Sequence, residues 1–227
     1  GPGDEGDHGD RSNHGDQSDH QYQSDHPVVG LGGDGAGPIR LDVSRGALVV
    51  GPPGSGRSTA LATLATALVD AGCPVAVIAR DGPLRGVGDA RAAARTAGFT
   101  PATVGRLLDD LPAGAVVLVG DLEALEQLSP ATGDRLAALV TDAGTGVRVI
   151  ASASTARAAI AYRGTLGALR AFRRGLVLAP ATPGSNEVFG VALDWVVDPA
   201  RPHAPGRGVC QHGRDLAVVQ VIDPGLR

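Results

Sequence analysis

The sequence predicts an α/β fold: a three-layer α/β/α domain with a mainly parallel sheet and a C-terminal β-hairpin. Short runs of apolar, often β-branched residues alternate with segments that repeat apolar residues at helical spacing. A glycine-rich loop joins one such run to one such helix at residues 51–58. The closing residues 206–222 depart from this alternation, with two strand patterns around a turn at Gly213.

Composition limits the classes of protein. The chain has 227 residues, of which 43% are hydrophobic and only 3% aromatic, so its core consists of Val, Leu, Ile and Ala. No segment approaches the ~20 uninterrupted apolar residues of a membrane span, and no signal sequence opens the chain. The two cysteines, Cys73 and Cys210, lack metal-ligand spacing. Reduced thiols in a cytoplasmic protein are favoured over a disulfide.

The first 26 residues differ in composition from the rest. They hold seven acidic residues and one arginine, a net charge of −6, so that residues 27–227 carry +2 of the total of −4. With so few apolar residues, we expect 1–26 to be a disordered acidic, His-rich linker before a domain at 27–227. Histidines recur every six residues, at His8, His14, His20 and His26. A degenerate repeat is favoured there over a metal-binding tail, because a flexible segment offers no preformed ligand geometry.

The regular pattern begins near residue 38. Strands are expected at 38–43, 46–50, 74–79, 114–121, 147–154 and 176–180, and helices at 58–72, 86–97, 101–111 and 130–143. Strands that alternate with helices in this way indicate a parallel sheet covered on both faces.

The glycine-rich loop "GPPGSGRS" has the spacing of a phosphate-binding loop, with Arg57 in the lysine position. Glycines allow successive N–H groups to point at phosphate oxygens, and the following helix N-terminus favours the anion. The chain contains no lysine, so Arg57 is also consistent with compositional drift. We expect ATP to be bound by residues of this loop: Gly51, Pro52, Pro53, Gly54, Ser55, Gly56, Arg57, Ser58 and Thr59.

Magnesium would need a hydroxyl and an acidic group. Ser58 occupies the hydroxyl position, and the apolar strand "AVVLVGD" ends in Gly120 and Asp121 where two adjacent acidic residues are usual. In the literal pairing Gly120 replaces the metal-binding carboxylate and Asp121 is the catalytic, water-orienting residue. A shift by one residue would make Asp121 the Mg²⁺ ligand, with Glu123 nearby; the literal pairing is favoured.

Four segments in this order resemble the FtsK/SpoIIIE family of motor ATPases, which includes chromosome translocases and type VII secretion ATPases. They are "LVVGPPGSGRSTAL", "VVLVGDLEAL", "VIASAS" and the closing "PGRGV…VVQV". The resemblance covers about residues 28–223 and is similar to the last, degenerate domain of chains with several such domains. It implies a RecA-like core, hexameric rings, and ATP sites completed by a neighbouring domain or subunit.

The sequence departs from this family at three positions near the expected γ-phosphate: Arg57, Gly120, and Ala153 in place of a sensing glutamine. Together they predict an ATP-binding domain that hydrolyses ATP weakly or not at all. Five arginines follow the sensing strand, at Arg157, Arg163, Arg170, Arg173 and Arg174. A solvated helix face is favoured for them, over an arginine finger for a neighbouring site or a DNA contact.

Three functional classes stay open: a DNA-translocating module, a type VII secretion-type domain that docks a secreted substrate peptide, and a non-catalytic scaffold with nucleotide as structural ligand. The near-neutral charge of residues 27–227 disfavours DNA binding by this domain alone. The expected partners are neighbouring ATPase domains or subunits in a ring, with contact to a membrane only through a parent chain. The expected location is the cytoplasm.

Overall fold

The structure is a computed structural model that describes residues 13–33, 35–197 and 204–226. Its strands are β1 (Val28–Gly32), β2 (Gly37–Arg40), β3 (Ala47–Val50), β4 (Val75–Ile78), β5 (Ala94–Ala97), β6 (Val116–Val119), β7 (Arg148–Ala153), β8 (Arg174–Leu178), β9 (Arg207–His212) and β10 (Asp215–Val221). Its α-helices are α1 (Asn13–Asp25), α2 (Arg57–Asp70), α3 (Pro83–Ala90), α4 (Pro101–Asp109), α5 (Leu122–Leu128), α6 (Pro130–Thr141), α7 (Thr155–Ala159), α8 (Gly164–Ala171) and α9 (Ser185–Phe189).

The ten strands within the described ranges form one sheet in the order β2-β1-β10-β9-β8-β3-β7-β6-β4-β5. The six strands from β8 to β5 run parallel, and β9, β10, β1 and β2 extend the sheet with antiparallel pairs. Strands β9 and β10 are the expected hairpin, with Gly213 in the turn at a φ of 62°. The predicted α/β fold with a mainly parallel sheet and C-terminal hairpin is therefore confirmed.

Apolar side chains cover both faces of the sheet. On one face, helix α2 packs Leu61, Leu64 and Leu68 against the strands, while α5, α6 and α8 bury Leu125, Leu136 and Leu169 in a second cluster. The central parallel strands are buried throughout, as their continuous Val, Leu, Ile and Ala runs require. The sheet thus lies between two layers of helices and holds its loops at fixed positions.

One expected helix is wrong over half its length. The segment 86–97 was expected to be helical, but helix α3 ends at Ala90 and Ala94–Ala97 form edge strand β5, parallel to β4. Alanines gave the segment a high helix propensity, and pairing with the exposed edge of β4 overrides it. Short helices α5, α7, α8 and α9 and strand β1 were not anticipated, because each is too short to show a clear period.

The N-terminal segment also differs from expectation. Residues 1–12 lie outside the described residues, but residues 13–25 form helix α1 instead of a disordered linker that continues to residue 26. Arg148 Nη1 donates to the Ser24 carbonyl (3.0 Å) and to Asp25 Oδ1 (2.7 Å), and Ser24 is 7% exposed. Polar contacts, which composition does not reveal, attach this segment to the start of β7.

The two cysteines are free thiols, as expected, and both are buried. Burial raises the pKa of the Cys210 thiol to about 12, so this thiol stays protonated at neutral pH. None of the helices in the described part of the chain is long and apolar enough to cross a membrane.

Candidate nucleotide-binding site

The glycine-rich loop lies where the predicted phosphate site should be, between the end of β3 and the start of the 14-residue helix α2. Strand β3 lies between β8 and β7 in the middle of the parallel strands. Carboxyl ends of parallel strands meet at one edge of a sheet, where ligands of such folds bind. The N–H groups of the first turn of α2 have no carbonyl to bind within the helix and are available to an anion.

The loop conformation depends on its glycines. Gly54 has a φ of 79° and Gly56 a φ of 97°, a region that favours glycine. A Cβ atom at Gly51 would lie 2.3 Å from Ser55 Oγ, so a side chain there would collide with the loop itself. The Ser55 N–H donates to the Pro52 carbonyl at 3.2 Å. These constraints favour glycine at positions 51, 54 and 56 of a tight turn.

Arg57, in the lysine position, has a guanidinium nitrogen whose hydrogen-bond donors are unsatisfied within the described residues. Its Nη1 atom is buried and has no hydrogen-bond partner among the described residues, and neither has the buried Ser55 Oγ. An unpaired buried donor on a cation is costly, and a phosphate oxygen is the acceptor that would satisfy it. The residues present therefore fit the phosphate groups of a nucleotide.

A cavity of about 250 Å³ opens beside Arg57 at the carboxyl edge of the sheet. Its lining brings together residues from the loop, from the ends of β4, β6 and β7, from α3 and from the segment after β5: Arg57, Ser58, Ala79, Arg80, Asp81, Leu84, Phe99, Gly120, Asp121 and Ser152. The predicted metal-binding pair, Ser58 and Asp121, thus faces one space. The other predicted loop residues, Gly51 to Gly56 and Thr59, do not line this cavity.

Sequence analysis missed Arg80 and Asp81. Both follow β4, which pairs in parallel with β6, so their backbone lies at the same edge as Gly120 and Asp121. The signal available in the sequence was the position of an Arg-Asp pair directly after an apolar strand. Asp81 adds a second carboxylate to the cavity, and the Arg80 guanidinium lies 4.9 Å from the centre of the Phe99 ring.

Two acidic residues, Asp121 and Glu123, follow β6. Asp121 has a φ of 59°, and its N–H donates to Ser152 Oγ at 3.0 Å. Both carboxylate oxygens of Glu123 instead bind Ser154, from its N–H at 3.3 Å and its hydroxyl at 2.9 Å. Glu123 is thereby engaged at the start of α7, so the shifted pairing that counted on it as the nearby second acid gains no support.

Gly120 is not required by the fold. A Cβ atom there would lie 3.4 Å from Leu84 Cδ2 and 3.6 Å from Ala79 Cβ, which are ordinary van der Waals contacts. Ala153, in the place of the sensing glutamine, is fully buried at the end of β7, opposite Val50 of β3. The departures at Gly120 and Ala153 therefore concern the chemical groups of the side chains. The backbone at position 120 has room for an acidic residue.

The five arginines after β7 do not form one patch. Arg170 donates to the carbonyls of Ala161, Glu187 and Val188, at 2.9, 2.6 and 2.6 Å. Arg174 binds Asp42 and Ser44 at the opposite edge of the sheet. The exposed members are Arg157, Arg163 and Arg173. An arginine finger for a neighbouring site, or a DNA contact, would therefore have to use one of these three side chains.

No group of three or more His, Cys, Asp or Glu side chains within the described residues could hold a metal ion. At the P-loop, residues 51–58, Mg²⁺ would therefore need further ligands besides His, Cys, Asp and Glu side chains. Hydroxyl and phosphate oxygens and water are the usual additional ligands of Mg²⁺. His8 of the N-terminal repeat lies outside the described residues, so a metal-binding tail stays a hypothesis.

No protein-family model matches the sequence, and no curated protein sequence does. Solved structures do match. Thermomonospora curvata EccC (ATPases 2 and 3), in complex with a signal sequence peptide, superposes with a TM-score of 0.68 at 19% identity over 89% of this chain and 41% of that chain. EssC (ATPases 2 and 3) from Geobacillus thermodenitrificans gives a TM-score of 0.70 at 13% identity, over 88% and 41%.

A third match is VirB4 of Thermoanaerobacter pseudethanolicus, with a TM-score of 0.62 at 10% identity over 86% of this chain and 96% of that chain. This chain spans less than half the length of the EccC and EssC chains above. At these identities the likeness concerns the fold. The expected resemblance is confirmed at that level: the chain has the RecA-like P-loop fold of the type VII secretion ATPase domains of EccC and EssC.

Proposed function

We propose that this chain is an ATP-binding domain of an FtsK/SpoIIIE-type motor, in a type VII secretion-type assembly, with weak or absent hydrolysis. The observation that carries the proposal is the buried Nη1 of Arg57, which has no partner in the described part of the chain, at a glycine loop that opens a helix. Those groups would bind phosphate. The departures at Gly120 and Ala153 affect the positions whose side chains would take part in hydrolysis.

Different residues of the chain would bind the phosphate groups and the Mg²⁺ ion. N–H groups of the loop and of the first turn of α2 would bind phosphate oxygens, and Arg57 would donate to a further phosphate oxygen. Ser58 and Asp121, which face one cavity, are the residues that would hold Mg²⁺. When bound, Mg²⁺ neutralises phosphate charge.

Weak hydrolysis follows from what the cavity lacks. Phosphoryl transfer depends on metal placement and on charge stabilisation acting together, and the effects of such groups are not additive. Gly120 contributes no carboxylate, Ala153 no amide, and the planar guanidinium of Arg57 is larger than an ammonium. Asp121 remains to orient water, with Asp81 as the second acid of the lining.

A thermal-shift titration with Mg-ATP tests nucleotide binding. A ligand at 100 times its dissociation constant adds ~2.7 kcal/mol to the free energy of unfolding, so the melting temperature should rise by several degrees. Arg57→Ala should reduce the shift to about half or less. A flat response of the wild-type chain would refute the nucleotide proposal.

Peptide docking is a second candidate function, and one surface favours it. A groove of about 300 Å³ between α8 and α9 is lined by Tyr162, Val188 and Phe189, among others. Tyr162 is 80% exposed and the nearby Ile160 is 65% exposed. Exposed apolar side chains around a groove favour an amphipathic helical peptide. Fluorescence anisotropy of such a peptide should show binding that Tyr162→Asp removes and Trp195→Asp, at a different cavity, retains.

A further inference from the structure

The P-loop, residues 51–58, rests against the C-terminal hairpin. The Gly206 N–H, in the turn that precedes β9, donates to the Ser55 carbonyl at 2.8 Å. The contact is close: a Cβ atom at Gly56 would lie 2.8 Å from the Gly206 nitrogen. Gly206 is itself buried with a φ of 80°, so two glycines at positive φ face each other across this contact.

Outside support of this kind meets a physical need of the loop. The N–H groups that would bind phosphate must stay unpaired, so they cannot also hold the loop in shape; the Ser55 N–H, bonded to the Pro52 carbonyl, is not one of them. The carbonyl groups are free of that requirement. The Ser55 carbonyl lies between Gly54 and Gly56, both at positive φ, and there Gly206 supplies a fixed donor.

Strand β10 holds the Pro205–Gly206 segment in place through two hydrogen bonds. The Val221 N–H donates to the Gly206 carbonyl at 2.9 Å, and Gln220 Nε2 donates to the Pro205 carbonyl at 3.0 Å. The first bond belongs to the backbone and the second to a side chain. Gln220 is partly exposed, and it lines a cavity of about 630 Å³ beside Trp195.

We propose that Gln220 is a positioning residue for the P-loop, which it holds in the anion-binding conformation through Pro205 and Gly206. Removal of the Gln220 amide frees the Pro205 carbonyl, loosens Gly206 and lets the Ser55 peptide unit rotate. Nucleotide affinity then depends on a residue of the closing hairpin that touches no nucleotide. This last step rests on the proposed function, whereas the effect on the loop itself does not.

The test replaces Gln220 by Met, which keeps the volume and removes the donor. The control is Val218→Ala, which truncates a side chain of the same strand that lines the same cavity. Amide hydrogen exchange of residues 51–58 is measured without nucleotide, and the dissociation constant of Mg-ATP by calorimetry. We expect Gln220→Met to speed exchange of the loop about 2- to 10-fold and to weaken Mg-ATP by a similar factor, the range of one neutral hydrogen bond.

The melting temperature without nucleotide separates positioning from general destabilisation. It should fall no further in Gln220→Met than in Val218→Ala, whose loop exchange should match the wild type. Unchanged exchange of residues 51–58 in Gln220→Met would overturn the proposal. Faster exchange in a chain that binds no Mg-ATP would support the positioning role and refute the proposed function.

Discussion

The two sides of the P-loop, residues 51–58, differ in how closely they are packed and hydrogen-bonded. On the hairpin side, Gly206 and Gln220 close hydrogen bonds of 2.8 and 3.0 Å and leave no room for a Cβ atom at Gly56. On the cavity side, Gly120 leaves space for a side chain, and at the end of the neighbouring strand β7 the buried Ala153 carries no polar group. Under the proposed function, phosphate binding and phosphate chemistry would depend on different residues, so that one could be lost while the other stays intact.

The largest effect should come from Gly56→Ala. The new Cβ atom would lie 2.8 Å from a backbone nitrogen at a φ of 97°, so both sterics and backbone strain oppose it. We expect a loss of about 2–4 kcal/mol of unfolding free energy, from the strain of positive φ plus the collision. Urea unfolding measures it.

Gly54→Ala is the matched control for that change. Gly54 has a φ of 79°, but no atom lies within 4 Å of its Cβ position, so only the backbone strain remains, roughly 1–2 kcal/mol. Equal losses in Gly54→Ala and Gly56→Ala would contradict the close fit between the loop and the hairpin.

Arg57→Ala should separate binding from stability. The substitution removes a charged donor of phosphate, and we expect Mg-ATP affinity to fall roughly 10- to 100-fold, as for hydrogen bonds to charged groups. The melting temperature without nucleotide should not fall, because the lost guanidinium nitrogen is buried without a partner among the described residues. Calorimetry and thermal melts check the two parts.

Arg214→Ala, at the exposed turn of the hairpin, is the control for Arg57→Ala. It removes the same charge from the chain without touching the P-loop, and its Mg-ATP affinity should equal that of the wild type. A similar loss of affinity in both variants would mean that overall charge, and not the position of Arg57, governs binding.

Low pH should lower the free energy of unfolding through Asp42, which lies at the edge of the sheet opposite the P-loop. Burial alone would raise the pKa of Asp42, but hydrogen bonds from Ser44 and the charges of Arg174 and His212 outweigh it and leave this pKa below its ordinary value. The stabilisation from a lowered carboxyl pKa is present above the unfolded pKa of ~3.9 and is lost as pH falls through the folded pKa. In urea unfolding between pH 5 and pH 2, Asp42→Asn should lose this part of the acid sensitivity.

The exposed Asp110 provides the comparison for Asp42. Its side chain is 77% exposed in a surface ion pair with Arg95, so Asp110→Asn should leave the acid profile close to that of the wild type. If the two variants follow the same profile, the ion cluster around Asp42 does not set the acid response.

The smallest effect on turnover should come from Arg57→Lys. If Arg57 reflects only the absence of lysine from the chain, the lysine should restore little phosphate release, since Gly120 and Ala153 are unchanged. Adding Gly120→Asp should give a larger gain than lysine alone, because the fold has room for that side chain. Full turnover in Arg57→Lys alone would locate the whole defect at one residue.

Much of the fold was accessible from the sequence because the buried parallel strands are continuous apolar runs. The order of motifs gave the loop at 51–58 and the acidic end of β6. The helix expected at 86–97 failed because edge pairing of β5 overrides alanine propensity. Arg80 and Asp81 were missed because only the parallel pairing of β4 with β6 brings them to the cavity.

Contacts between distant segments were the other gap. The support of Ser55 by Gly206 joins residues far apart in sequence, and no local pattern announces it. The docking of Asp25 on Arg148 is of the same kind. In the Arg cluster, the sequence placed five residues together, and the structure assigns Arg170 and Arg174 to separate internal contacts.

The central claim is that the chain binds ATP at an intact loop and hydrolyses it weakly or not at all. The most direct measurement pairs Mg-ATP calorimetry with steady-state phosphate release, on one preparation of the wild-type chain. We expect saturable binding that Arg57→Ala weakens, together with phosphate release near the enzyme-free background. Turnover near the ~10 s⁻¹ typical of enzymes would contradict weak hydrolysis.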